Sequence, residues 1–172
     1  IVEANERERK GQTFSHYDQR EVENFFILEF AKNNNSWVDD IYLLGKPTGL
    51  KGNESTILVD LANSKVIKIN DLSNVNFLVS NLFNQVKIHN QLFPETRYEL
   101  IGFTGIYNGP NRAPYIEVIL KQDLVKDAVQ ASPQEISNFM ESLNFKKITD
   151  TRFSNNDYVV FDLYPRKCFK GQ

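Results

Sequence analysis

Hydrophobic and polar residues follow two different periods along the chain, and each change of period marks the border of an element. Residues 1–12 are charged and polar without an apolar repeat, which predicts a disordered lead-in ahead of one domain over 13–172. From Ser15 to Asn33 the period is helical. Val22, Phe25, Phe26, Glu29 and Phe30 approximate one face, Ser15 with Asp18 offers a cap, and Asn33-Asn34-Asn35 ends the run. From Ile41 the pattern shifts to short β-type runs at 41–44, 55–59 and 65–69. A connector at 45–53, rich in Gly and Pro, separates the first two, and Leu61-Ala62-Asn63-Ser64 supplies the next turn. Connections this short demand antiparallel pairing.

A second helix is expected from a Ser73 or Asn74 cap to the residues before Pro94, because Val75, Val79, Leu82 and Val86 form one apolar stripe. Strands follow at 99–106 and 115–121, joined by Asn108-Gly109-Pro110-Asn111. Ser132-Pro133-Gln134-Glu135 is the clearest local signal: an N-cap serine, proline at the first helical position and a capping-box glutamate. Ile136, Phe139, Met140 and Leu143 then supply a third helical face, and runs at 144–148 and 157–163 read as strands. The order α, βββ, α, ββ, α, ββ predicts an α+β fold with three main helices and a mostly antiparallel sheet.

Composition narrows the function classes. Thirteen Phe and seven Tyr suffice for a sizeable core, and Phe25, Phe26, Phe30, Phe77, Phe83, Phe93 and Phe103 are expected in it, with Trp37 as an anchor at a helix-to-strand junction. A net charge of −2 argues against nucleic acid as a partner, because neutralising phosphates takes a clustered Lys/Arg surplus. Cys168 is the only cysteine, so no internal disulfide forms, as in cytoplasmic proteins generally. With His16 and His89 distant from it, there is neither a zinc cluster nor a Cys–His pair. No apolar run is long enough for a membrane helix, and no signal peptide is visible. Ile1 rather than Met at the start suggests a piece of a longer polypeptide or a trimmed product. The paired carboxylates Asp39-Asp40 and Glu95 with Glu99 read as solvated surface.

One ordering carries chemistry: a Gly-containing turn between two strands, a lysine on the third strand, then a helix. Phosphates need close backbone N–H groups, which Gly49 and Gly52 permit, and a fixed positive charge, which Lys68 supplies. Alternation puts Lys68 on the face opposite Ile67 and Ile69. Spacing alone also allows a plain hairpin with Lys68 on a solvated face.

In its ordered motifs the chain resembles the serine/threonine/tyrosine kinase-like domains of polyvalent proteins from bacterial mobile elements and phages. The matching stretches include Leu44-Gly45-Lys46-Pro47-Thr48-Gly49, Gly52-Asn53-Glu54-Ser55, Lys65-Val66-Ile67-Lys68-Ile69-Asn70, His89-Asn90-Gln91-Leu92-Phe93-Pro94, Leu120-Lys121-Gln122 and Asp162-Leu163-Tyr164-Pro165. Together the matching stretches cover roughly 25–167. The resemblance implies a kinase-like N-lobe with a reduced C-terminal part. It implies that Gly52 and Glu54 lie in the loop over the nucleotide phosphates and that Lys68 touches them. It further implies that Lys121 and Gln122, after Leu120, form the adenine side, and that Asp162 stands where the catalytic-loop aspartate accepts the proton of the attacking hydroxyl.

The departures bear on activity. Five residues after Asp162, where the family pattern has a magnesium-holding asparagine, stands Lys167, whose charge would repel a divalent cation. The metal-binding aspartate of the following motif would fall past Gln172, residues 73–93 contain no glutamate to pair with Lys68, and Asn53 or Ser55 replaces the third loop glycine. The leading expectation is a degenerate kinase-like domain that works as a binding or regulatory module, with weak nucleotide binding, no metal site and an unidentified protein partner. Two alternatives stand beside it. One is an active phosphotransferase, using ATP and magnesium, completed by residues after 172. The other is an interaction domain with no nucleotide site.

Overall fold

A computed structural model of the chain describes residues 16–51, 55–107, 109, 113–125, 127, 129–164 and 168–170. Its contacts group into two compact units, Ile1–Leu124 and Val125–Gln172.

The first unit is a five-stranded sheet with two helices. Helix α1 (His16–Asn33) is followed by a 3₁₀ turn (Ile41–Leu43) and strands β1 (Lys46–Lys51), β2 (Ser55–Asp60) and β3 (Lys65–Asn70). Helix α2 (Val79–Leu92) leads into β4 (Glu99–Ile106) and β5 (Tyr115–Asp123). The strand order is β1-β2-β3-β5-β4, antiparallel throughout, as short connections and alternating patterns require. Counting the helix of the second unit, the chain has the α+β composition of three helices and a mostly antiparallel sheet.

Each sheet face carries its own apolar cluster. On one face Leu58, Ile67, Ile69 and Ile119 are buried, with Val38, Ile41, Leu44 and Ile101 packed against them. On the other, Phe103, Ile116, Val118 and Leu120 meet Ile27, Leu28 and Ala31 of α1 and Val79 and Leu82 of α2. Burial of this apolar area drives the assembly. Segment 36–38 runs alongside β4, with Phe103 N–H donating to Ser36 O at 2.9 Å and Val38 N–H to Phe103 O at 2.8 Å. Gly102 permits this approach, since a Cβ there would collide with the Ser36 carbonyl.

Several local expectations are corrected. Residues 41–43 form a 3₁₀ turn rather than a strand, because the Asp40 carboxylate accepts from Tyr42 N–H at 3.0 Å and caps it. The Gly/Pro connector contains strand β1, whose pairing with β2 shifts between Pro47 and Lys51. Helix α2 starts at Val79, not near Ser73, and 73–75 is a separate 3₁₀ turn. Its cap is remote: Glu23 of α1 accepts from Val79 N–H at 2.7 Å and Ser80 N–H at 3.1 Å. The buried face of α1 is rotated accordingly. Glu23, Asn24, Ile27, Leu28 and Ala31 point inward, whereas Phe26 is 40% and Phe30 52% exposed. Phe25 and Phe77 are also exposed, so only part of the aromatic set is core.

In the second unit β6 (Val129–Gln130) pairs with β10 (Phe169–Lys170), and β7 (Lys146–Thr149), β8 (Arg152–Ser154) and β9 (Val159–Val160) form a small antiparallel sheet. Helix α3 (Pro133–Ser142) has the expected box: Glu135 N–H donates to Ser132 Oγ, and Ser132 N–H to the Glu135 carboxylate at 2.9 Å. It ends with Asn144 at φ 62°, while Phe145 N–H returns to Met140 O and Asn144 N–H to Glu141 O. Ile136, Met140, Phe145 and Phe153 are buried. Phe139 lies on the exposed side, and the strand expected over 157–163 shrinks to two residues.

Candidate functional site

The pleat of β3 sets the site. Ile67 and Ile69 pack into one face, so Lys68 emerges on the other, opposite Leu120 of β5 and beneath α2. The Lys68 ammonium donates to the Tyr98 hydroxyl at 2.6 Å. Tyr98 is itself clamped to α2, because Asn90 Nδ2 donates to Tyr98 O at 2.8 Å and Tyr98 N–H to Asn90 Oδ1 at 2.7 Å. The His89 ring lies against the Tyr98 ring with centroids 4.7 Å apart, and His89 Nε2 donates to the Thr96 carbonyl at 3.0 Å. A carbonyl only accepts, so Nε2 carries the hydrogen. Burial holds the His89 pKa below 6.5; the Thr96 bond opposes this and the Lys68 charge adds to it.

These residues line a cleft of about 340 Å³, together with Ser55, Asn70, Gln85 and apolar Leu82, Val86 and Leu120. Lys68 is its one charged lining side chain among the described residues once His89 is neutral, and no carboxylate there pairs with it. A half-buried cation whose hydrogen-bond partner is a neutral phenol retains its charge for an incoming anion. Lys68 thus leaves the solvated hairpin face that spacing alone allowed.

The other expected residues divide. Gly52 and Glu54 lie outside the described residues, although Ser55, the next residue along, lines the cleft. Gly49 has φ +72° with open space where a Cβ would stand, so backbone conformation rather than crowding calls for glycine. Lys121 lies opposite Ile67, on the sheet face away from Lys68, and pairs with Glu99 at 3.2 Å. Gln122 shares the face of Lys68, and its Oε1 is buried without a hydrogen-bond partner among the described residues. Asp162 belongs to the second unit, exposed and at φ 69°, in a depression with Thr149, Arg152 and Tyr164. There it adds to the burial that pushes the Cys168 thiol up.

Tyr98 and Asn90 were not legible as site residues. His89-Asn90 stands in a resembling motif, but only the contacts between α2 and Tyr98 give these residues their places at the site. Among the described residues no helix is long and apolar enough to cross a membrane, and no group of three or more His, Cys, Asp or Glu is arranged to hold a metal.

A family model described as serine/threonine/tyrosine kinase found in polyvalent proteins matches residues 20–163. No curated protein and no solved structure matches the chain.

Proposed function

The chain belongs to the serine/threonine/tyrosine kinases found in polyvalent proteins, and on that premise we propose that it binds nucleotide phosphates at Lys68 and serves as a regulatory or binding module rather than a phosphotransferase. The observation that carries this reading is the Lys68–Tyr98 contact in a cleft where no carboxylate is found among the described lining residues. In active kinases the strand lysine is set by a helix glutamate, an ion pair that must form for transfer. Here a phenol fixes the ammonium without cancelling its charge, which favours holding a polyanion. Gln122 Oε1, buried and unpartnered on the same sheet face, calls for a donor such as the adenine amino group. Transfer itself is disfavoured by Lys167, which stands where the family pattern has a magnesium-holding asparagine. The host would be a polyvalent protein of a bacterial mobile element or phage.

Thermal shift with ATP, in chelator and in magnesium, tests the reading. ATP at ten times its Kd should stabilise the protein by about 1.4 kcal/mol without metal, and Lys68→Ala should abolish the gain. Magnesium-dependent phosphate transfer by this chain or by its parent polypeptide would replace the proposal with an active enzyme. No stabilisation by ATP in either condition would leave an interaction domain.

A further inference from the structure

Glu23 is 3% exposed, yet its helix contributes none of the described residues that line the cleft. A buried carboxylate is costly unless its oxygens are satisfied, and both oxygens here accept from the first turn of α2. The residue at the α2 N-cap is Leu78, which has no side chain able to cap. Glu23 therefore supplies from α1 what α2 lacks in its own sequence, with the positive end of the helix dipole aligned to it. The same helix carries His89 and Asn90, which hold Tyr98, and Tyr98 holds Lys68. An unbroken line of contacts thus runs from α1 to the cleft ammonium.

We propose that Glu23 is a positioning residue for the cleft: it fixes α2, and through Asn90, His89 and Tyr98 it sets Lys68 for its ligand. The ligand part rests on the nucleotide reading above; the mechanical part does not. Three measurements on the full chain separate them: amide exchange over 79–92, amine labelling of Lys68 relative to Lys65, and ATP affinity without metal. They are made on wild type, Glu23→Gln and Glu23→Ala. Glu23→Gln keeps the reach and one good acceptor, which guards against simple loss of folding. For Glu23→Ala, exchange over 79–92 should rise about a hundredfold or more, exceeding the rise in β3 and β5. Lys68 should label faster, ATP affinity should fall about three- to tenfold, and Glu23→Gln should lie between. Unchanged exchange and labelling in Glu23→Ala would overturn the inference, as would loss of protection spread evenly over the sheet. A wild type that does not bind ATP would remove the nucleotide reading alone, leaving exchange and labelling to decide the role of Glu23.

Discussion

Helices α2 and α3 begin in opposite ways. Helix α3 carries its whole start signal within four residues, Ser132 to Glu135, and closes the box on itself. Helix α2 has leucine at its cap and borrows a carboxylate from 56 positions upstream. A local cap is an autonomous device, whereas a borrowed cap ties the helix to whatever holds the lender. The helix with the borrowed cap is the one that lines the candidate cleft.

That contrast can be broken by mutation. The largest effect is expected from Glu23→Ala, which strands two N–H groups in a buried place. Denaturation followed by the single Trp37, which lies in the first unit, should show a loss of about 3 kcal/mol. A loss under about 1 kcal/mol would mean that α2 does not depend on the borrowed cap. Tyr98→Phe comes next, at about 1–2 kcal/mol, since it removes the acceptor of a half-buried ammonium. Adding ATP should shrink this deficit, because phosphate oxygens replace the phenol, and an unchanged deficit would argue against anion binding at Lys68. Ser132→Ala should cost about 1 kcal/mol, seen as faster exchange in 133–142 with no change over 79–92.

The smallest effect concerns pH. The folded pKa of His89 lies below its ordinary 6.5, so between the two values the unfolded chain binds more protons than the folded one. Stability from this group is therefore full above pH 6.5 and falls as the pH drops towards the folded value. Melting temperatures from pH 7.5 to 5 should decline less in His89→Gln than in wild type. Parallel curves would show that His89 is not held neutral in the fold. A polyanion beside Lys68 should raise the His89 pKa again, giving proton uptake on binding in mildly acid buffer.

Much of the frame was written in the sequence. Strands β2, β3, β4 and β5, the capping box of α3 and the apolar stripe of α2 follow from period and punctuation, which act within a few residues. Even the face of Lys68 follows from alternation with Ile67 and Ile69, because a pleat has a period of two. What the pattern could not fix was which side of α1 turns inward. Phe25, Phe26 and Phe30 outrank Glu23 and Asn24 in hydrophobicity, yet the polar pair is buried. Those two side chains have partners waiting in α2 and at the Pro114 carbonyl. The partner of Lys68 was equally hidden, since Tyr98 meets it only when β4 returns beside β5 under α2. Local sequence determines which segments become helix or strand, because propensity, capping and alternation are short-range. Tertiary structure alone decided who caps α2 and what faces Lys68, because a buried polar group is satisfied by whichever partner the packing delivers, however far away in the chain.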